Sequence, residues 1–129
     1  MGPQFIYNAD VTRVIDGDTL DLDVDLGFKV HVRVRVRLFG IDTPETYGVK
    51  KESDEFKAGM AAKAFVLEWL DGLAGESCAA RAPVVIMSHD GKPIGQGKYG
   101  RWLVDVFPDV GGSLNEELVR MGHAEVVKY

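Results

Sequence analysis

Two stretches of the chain alternate apolar and polar residues with a period of two. Residues 20–26 alternate leucine or valine with aspartate, and residues 30–38 alternate valine or leucine with one histidine and three arginines. Alternation of this length predicts two β-strands that each bury one face. An Asp-Gly-Asp turn at residues 16–18 precedes them, and the β-forming side chains of residues 5–15 predict a further strand.

The alternation also predicts how the two strands pair. Paired residues in a sheet face the same side, so apolar residues must lie opposite apolar residues. A three-residue loop at residues 27–29 satisfies this condition, whereas a two-residue loop would place aspartates opposite valines. Arg33 and Arg35 then face aspartates, and each cross-strand ion pair contributes a few tenths of a kcal/mol up to about 1 kcal/mol. Arg37 has no acidic residue opposite it and has Asp18 beside it, so it is the arginine left available for chemistry.

The rest of the chain predicts two helices and two more strands. Residues 53–73 have helical spacing. The apolar face predicted for this helix consists of Phe56, Met60, Ala64, Leu67 and Leu70. Residues 83–88 and 102–107 predict strands, and residues 113–116 match a capping box that opens a short helix, with Gly122 as its stop. Several strands with few helices indicate an α+β fold around a small barrel, and the absence of repeats and linkers predicts one domain over residues 1–129.

The composition, 46% hydrophobic and 27% charged, is that of a folded globular domain. No apolar run approaches the roughly 18–20 residues of a membrane span, so we expect no membrane partner. No basic start followed by an apolar stretch is visible, so we expect a cytoplasmic location unless a signal sequence has been removed. The single cysteine, Cys78, excludes an internal disulfide and a multi-cysteine zinc site.

The net charge of −5 argues against a protein that coats nucleic acid by charge alone. The charge is unevenly distributed, however. Residues 29–51 carry six basic and two acidic side chains, whereas residues 1–28 carry one basic and six acidic, and residues 52–78 carry two basic and six acidic. A local basic segment of this kind can serve an anionic substrate in a small site, or it can belong to a solvated face.

The predicted register brings a set of charged side chains to one end of the barrel. Asp18 lies near Arg37, and Asp42 follows Arg37 by five residues. With Glu45 and Arg101, this set suits a hard, oxygen-seeking cation such as Ca²⁺, with arginines holding a phosphate. The alternative is that the aspartates form and cap turns and that Arg101 is a surface residue.

Four ordered motifs carry a family resemblance. They are residues 14–19 (Val-Ile-Asp-Gly-Asp-Thr), 37–46 (Arg-Leu-Phe-Gly-Ile-Asp-Thr-Pro-Glu-Thr), 98–101 (Lys-Tyr-Gly-Arg) and 114–119 (Leu-Asn-Glu-Glu-Leu-Val). With these motifs at compatible spacing over about residues 9–127, the chain resembles the staphylococcal nuclease family, also called thermonuclease or micrococcal nuclease. The resemblance implies a five-stranded OB-type barrel with two or three packed helices.

The resemblance also implies an activity, namely Ca²⁺-dependent hydrolysis of phosphodiester bonds in DNA and RNA that leaves 3′-phosphate ends. Carried over by position, Asp18 and Asp42 would bind Ca²⁺ through their carboxylates, and Thr43 would bind it through its backbone carbonyl. Glu45 would be the general base that activates the attacking water.

The remaining motif residues are expected to hold the substrate or the fold. Arg37 and Arg101 would hold the scissile phosphate and stabilise the charge that develops on it. Tyr99 and Lys98 would contact the nucleotide at its phosphate end. Asn115 and Glu116 are interpreted as structural, because they would tie the last helix to the barrel.

The residues alone are also compatible with two other functions. A non-catalytic OB-type module that binds single-stranded nucleic acid would use a basic groove and aromatic side chains. A structural or partner-binding barrel would fit the acidic composition but would leave the metal and phosphate residues unexplained. We therefore expect a monomeric nuclease acting on single-stranded or frayed DNA or RNA. A requirement for a divalent ion in product formation would distinguish this nuclease from a binding module.

Overall fold

The two alternating segments form adjacent strands in a computed structural model that describes residues 5–44, 46, 53–74, 82–93, 102–108 and 111–127. Strand β1 (Ile6–Asp16) pairs antiparallel with β2 (Thr19–Asp25), and β2 pairs antiparallel with β3 (His31–Leu38). The β2–β3 register agrees at every position with the predicted three-residue loop. Register was predictable here because a shift of one residue would expose every buried valine and leucine of the hairpin.

The loop that joins β2 and β3 has an unusual backbone. Gly27, Phe28 and Lys29 all have positive φ angles, of 83°, 55° and 62°. Phe28 is fully exposed at the tip. The apolar alternation therefore continues beyond the barrel, and its last two apolar side chains, Leu26 and Val30, are 44% and 51% exposed rather than buried.

Two further strands close the barrel, in the order β1-β2-β3-β6-β5. Strand β5 (Ala82–Pro93) extends well past the predicted residues 83–88, whereas β6 (Trp102–Phe107) has the predicted bounds. The β3–β6 pairing is parallel and all the others are antiparallel. These strands and the helices together bury a core whose largest fully buried side chains are Leu20, Leu22, Leu38, Leu114, Leu118, Val36, Val66, Val104 and Val106.

Helix α1 (Asp54–Ala74) lies close to the predicted residues 53–73, and Leu70 of the predicted apolar face is buried, but other residues of that face are not. Met60 and Leu67 are 42% and 45% exposed, whereas Ala62 and Val66 are completely buried. The reason is a close approach of the helix to the turn after β1. A Cβ atom on Gly17 would lie 2.8 Å from Cβ of Ala62, so only small side chains fit between the two elements.

Helix α2 (Leu114–Arg120) begins as predicted, with Ser113 as its N-cap. The Ser113 side chain accepts a hydrogen bond from the backbone N–H of Glu116 at 3.1 Å. After Gly122, whose φ is 80°, the chain forms β7 (Glu125–Val126), which pairs antiparallel with β4 (Ile41–Asp42). This small ladder was not predicted, and it joins the chain after α2 to the segment that contains Asp42. Within the described ranges, neither helix combines the length and the apolar character needed to span a membrane.

Candidate functional site

The turn between β1 and β2 places Asp18 at the open end of the β2–β3 hairpin. Asp18 is buried, and both of its carboxylate oxygens accept hydrogen bonds. Oδ1 accepts from the Thr19 hydroxyl at 3.0 Å, and Oδ2 accepts from the backbone N–H of Thr43 at 3.2 Å. These contacts fix the orientation of the carboxylate and bring the segment that follows β4 against the β1–β2 turn.

Arg37 lies between two carboxylates, of which the predicted register placed only Asp18 beside it. Its Nη2 atom donates to Oδ1 of Asp42 at 2.8 Å and lies 3.5 Å from Oδ2 of Asp18. The Nε atom of Arg37 is buried and has no hydrogen-bond partner in the described part of the chain. A buried donor without a partner is costly, so this N–H is suited to an acceptor that a bound molecule supplies.

The Asp42 carboxyl is electrostatically unfavourable where it lies. Burial raises its pKa, and the neighbouring Asp18, which is within hydrogen-bonding reach, raises the pKa further, while Arg37 acts in the opposite direction. Two carboxylates and one guanidinium leave the cluster with a formal charge of −1. Such a cluster attracts a cation, because a cation would offset the repulsion between the carboxylates.

Thr43 completes the arrangement. It is buried, its hydroxyl oxygen has no hydrogen-bond partner within the ranges that the structure covers, and its methyl and hydroxyl groups would lie 3.1 and 3.2 Å from a Cβ atom on Gly17. Gly17 therefore allows Thr43 and helix α1 to pack directly against the turn that carries Asp18.

One contact of this region was not predicted. The Thr46 hydroxyl donates a hydrogen bond to Oδ1 of Asp16, a buried residue that the sequence indicated only as a turn former. The bond ties the end of the segment after β4 to the β1–β2 turn. No local pattern indicates it, because the two residues are 30 positions apart.

Of the two residues that were interpreted as structural, Asn115 has that role, whereas the side chain of Glu116 is exposed. Its side-chain oxygen accepts from the backbone N–H of Val106 at 3.1 Å, and its Nδ2 donates to the carbonyls of Phe39 at 2.9 Å and of Val104 at 3.2 Å. One buried amide thus joins α2, β6 and the residue that follows β3. The geometry holds in place the stretch of chain between Arg37 and Asp42.

The structure brings together four of the predicted site residues, namely Asp18, Arg37, Asp42 and Thr43. The other four lie outside the described residues and are Glu45, Lys98, Tyr99 and Arg101. In the part of the chain that is described, no group of three or more His, Cys, Asp or Glu side chains is placed to hold a metal ion. Asp18 and Asp42 are the carboxylates that the described structure brings to either side of Arg37.

Comparison with known proteins decides the family. The sequence profile described as Staphylococcal nuclease homologue matches residues 35–129, which is most of the chain and begins inside β3. The chain belongs to this family. The five-stranded closed barrel, with the two helices found among the described residues, is accordingly the OB-type α+β fold that the resemblance implied.

Two relatives of this nuclease-homologue chain extend the match to the first strands. An uncharacterized protein of Methanocaldococcus jannaschii, MJ1439, is 28% identical over 129 aligned residues, which cover 93% of this chain and 59% of that protein. Endonuclease YhcR of Bacillus subtilis is 30% identical over 119 residues, which cover 92% of this chain and 9% of that protein. The chain thus corresponds to part of each of these longer proteins.

Proposed function

We propose that this chain hydrolyses phosphodiester bonds of DNA or RNA in a Ca²⁺-dependent reaction that releases 3′-phosphate ends. The observation that carries the proposal is the position of Arg37, whose guanidinium lies between the carboxylates of Asp18 and Asp42 at the open end of the hairpin. Membership of the nuclease-homologue family and the likeness to a protein named as an endonuclease support a nuclease rather than another use of the barrel.

The described residues fit a calcium ion. Asp18, Asp42 and the Thr43 carbonyl provide only oxygen donors, which Ca²⁺ prefers, and water can complete its six to eight positions. Burial, and after it the neighbouring Asp18, raises the pKa of the Asp42 carboxyl, and a bound cation would act in the opposite direction. When bound, Ca²⁺ supplies Lewis-acid chemistry, since it polarises phosphate oxygens and neutralises their charge.

Arg37 is the residue proposed to hold the phosphate. Its Nη2 is directed to the carboxylates, while its buried Nε has no partner in the described residues and is free to donate to a phosphate oxygen. A planar guanidinium can give two parallel hydrogen bonds to a phosphate, which fixes its orientation and stabilises the charge that builds up during hydrolysis.

The remaining roles rest on the family resemblance. Glu45 is proposed as the general base that takes a proton from the attacking water. Arg101 is proposed as the second arginine on the scissile phosphate, and Tyr99 and Lys98 are proposed to contact the nucleotide. Charge-assisted donors of this kind are each worth a few kcal/mol when they act on the developing charge.

The test uses short single-stranded DNA and RNA, incubated with the protein in Ca²⁺, in Mg²⁺ or in a chelator, followed by identification of the product ends. We expect cleavage in Ca²⁺ alone, with 3′-phosphate products. The variant Glu45→Gln should retain Ca²⁺ and nucleotide binding and lose at least about tenfold in turnover.

Near-normal turnover of Glu45→Gln would remove Glu45 from the role of base. Cleavage in the chelator, or 3′-hydroxyl products, would contradict the proposed chemistry. Either result would still show that the protein is a nuclease. Binding of the oligonucleotides without any cleavage would favour the alternative function, a non-catalytic OB-type module for single-stranded nucleic acid.

A further inference from the structure

The turn between β1 and β2 holds the segment after β4 at two points, through its two carboxylates. Asp18 accepts a hydrogen bond from the backbone N–H of Thr43 at 3.2 Å, and Asp16 accepts one from the hydroxyl of Thr46. Both carboxylates are buried, and hydrogen bonds to a carboxylate are stronger in buried surroundings than in water. We call these two hydrogen bonds the turn clamp.

The turn that provides the clamp is itself fixed by its surroundings. Asp16 pairs with Thr19 in the β1–β2 register, so only Gly17 and Asp18 lie between the strands. Helix α1 approaches the turn so closely that a Cβ atom on Gly17 would lie 2.8 Å from Cβ of Ala62. A hydrogen bond from a turn that a helix supports in this way defines a position more precisely than one from a free loop.

Only Pro44 and Glu45 lie between the two clamped residues, Thr43 and Thr46. The proline ring fixes φ of Pro44 and restricts the backbone of the residue before it. Consecutive Cα atoms are about 3.8 Å apart, so a fixed Thr46 also limits the positions open to its neighbour. The clamp therefore constrains Glu45, the proposed general base, from both sides, although Glu45 itself lies outside the described residues.

A role in the turn alone does not explain the bond between Asp16 and Thr46. A turn-forming aspartate accepts hydrogen bonds from backbone groups close to it in sequence, whereas this bond joins residues 30 positions apart. The family resemblance assigns Asp18 to the ion and gives neither Asp16 nor Thr46 a role. The bond ends on the residue that follows the proposed base, which is where a support for that base is needed.

We propose that Asp16 and Thr46 are positioning residues, whose hydrogen bond holds the segment of Thr43 and Glu45 in the geometry that hydrolysis requires. The proposal rests on the proposed nuclease function and adds to it two residues that touch neither the ion nor the substrate. A general base must lie within about 2.6–3.2 Å of the water that it deprotonates. A displacement of about 1 Å can lower the rate by roughly 10², so a bond that fixes the segment acts on turnover.

The experiment removes the bond from the side of Thr46. Thr46→Val keeps the shape of the side chain and loses the hydroxyl, whereas Thr46→Ser keeps the hydroxyl. The matched control is Thr12→Val in β1, because the Thr12 hydroxyl also makes a hydrogen bond, to the backbone carbonyl of Asp21 at 3.3 Å. Each variant is assayed for kcat and KM on a single-stranded oligonucleotide in Ca²⁺, and its affinity for Ca²⁺ is measured by calorimetric titration.

We expect kcat of Thr46→Val to fall by on the order of tenfold. Its KM and its affinity for Ca²⁺ should change by less than about twofold, because the lost bond acts on the transition state and not on binding. Thr46→Ser should recover most of kcat, and Thr12→Val should have the kcat of the parent protein. From the other side of the bond, Asp16→Asn keeps an acceptor oxygen and should retain more activity than Asp16→Ala.

Hydrogen exchange gives a second measurement that does not depend on cleavage. The backbone N–H of Thr43 is protected by Asp18, and it should exchange several times faster in Thr46→Val than in the parent protein. The N–H of Val106, which Asn115 protects in the barrel, should keep its rate. Faster exchange of both groups would show a general loss of stability and would overturn the local role of the bond.

An unchanged kcat in Thr46→Val, or a loss that Thr46→Ser does not recover, would also overturn the proposal, as would an equal loss in Thr12→Val. If the parent protein cleaves neither DNA nor RNA, the proposed function fails by itself. The clamp is then decided by hydrogen exchange, where equal rates for the Thr43 N–H in the parent protein and in Thr46→Val would overturn it. Circular dichroism at the assay temperature shows whether each variant is folded.

Discussion

The guanidinium of Arg37 donates from Nη2 to Oδ1 of Asp42 at 2.8 Å, and the same nitrogen lies 3.5 Å from Oδ2 of Asp18. In this arrangement the arginine supplies positive charge to the two carboxylates that are proposed to bind Ca²⁺. The guanidinium and the ion therefore compete for the same negative charge, and a phosphate is the partner that can draw the guanidinium away.

This competition makes a prediction for Arg37→Gln. Removal of the guanidinium should leave the affinity for Ca²⁺ unchanged or raise it, because a competing positive charge is removed. At the same time kcat/KM should fall by roughly 10²–10³, as for the loss of one donor to a developing negative charge. Calorimetric titration with Ca²⁺ in the absence of nucleotide measures the first effect, and oligonucleotide cleavage measures the second. A weaker affinity for Ca²⁺ would show instead that Arg37 organises the carboxylates.

Arg37→Lys separates charge from geometry. Lysine keeps the positive charge but is a point charge without the planar fork that matches two phosphate oxygens. We expect turnover to remain severely reduced, close to that of Arg37→Gln, in the same cleavage assay. A mild loss would mean that the site needs charge at this position and not a bidentate hydrogen bond.

The variant Asp42→Asn tests how far the charge of the Asp42 carboxylate reduces the stability of the folded protein. Because burial and Asp18 raise the pKa of the Asp42 carboxyl above its ordinary value of 3.8, the folded protein holds this proton more tightly than the unfolded chain does. The contribution of Asp42 to the free energy of unfolding is therefore most favourable below pH 3.8 and decreases as the pH rises through the raised pKa. In a chelator, the Asn variant should be at least as stable as the parent protein at neutral pH, and the difference should disappear in acid.

The same variant should lose the stabilisation that Ca²⁺ gives to the parent protein, since a ligand stabilises only the state that binds it. Urea unfolding at several pH values, with and without Ca²⁺, measures both effects. Asp71→Asn, at an exposed position of α1, is the matched control for the loss of one negative charge. A stability difference that persists unchanged into acid would exclude the titration of Asp42 as its cause.

The parts of the fold that were predictable are those that a local pattern determines. The β2–β3 register follows from period-two alternation, and with it the proximity of Asp18 and Arg37. The buried face of α1 was not predictable in the same way, because its contact with the barrel is decided by the small residues Gly17 and Ala62 from distant parts of the chain. The helical spacing of apolar residues selected Met60 and Leu67 instead, and both are exposed.

The candidate site likewise has contacts that a local pattern predicted and contacts that it did not. Arg37 in β3 and Asp42 in β4 are only five residues apart, so the sequence could indicate that they lie close together. The hydrogen bond from Thr46 to Asp16 and the β4–β7 ladder join segments that are far apart, and each depends on tertiary packing rather than on local propensity. A two-residue strand such as Ile41–Asp42 also carries too little pattern to be recognised.

Gly17→Ala tests the close contact between the site turn and α1. The added Cβ atom would lie 2.8 Å from Cβ of Ala62 and 3.1 Å from a Thr43 methyl group, so the helix or the turn must shift. We expect a loss of roughly 1–3 kcal/mol in the free energy of unfolding, together with a weaker affinity for Ca²⁺. Ala62→Gly should recover part of the loss when combined with Gly17→Ala, as measured by a double-mutant cycle in urea.

The matched control is Gly72→Ala in the same helix, where an added Cβ atom would meet nothing within 4 Å. Alanine is the better helix former by about 1 kcal/mol, so this variant should be more stable than the parent protein. If Gly17→Ala were as well tolerated as Gly72→Ala, the α1 packing described for the site would be wrong.

Asn115→Ala tests whether the amide that joins α2 to the barrel is structural. The variant leaves the buried Val106 N–H and the carbonyls of Phe39 and Val104 without the side chain that pairs them, and we expect the free energy of unfolding to fall by roughly 2–4 kcal/mol. Glu116→Ala removes an exposed side chain at the next position and should change stability by less than about 0.5 kcal/mol. At a temperature where circular dichroism shows both variants folded, cleavage should proceed with the kcat of the parent protein. A lower kcat for folded Asn115→Ala would mean that the amide, by holding the chain between Arg37 and Asp42, sets the geometry of the site as well as the stability of the fold.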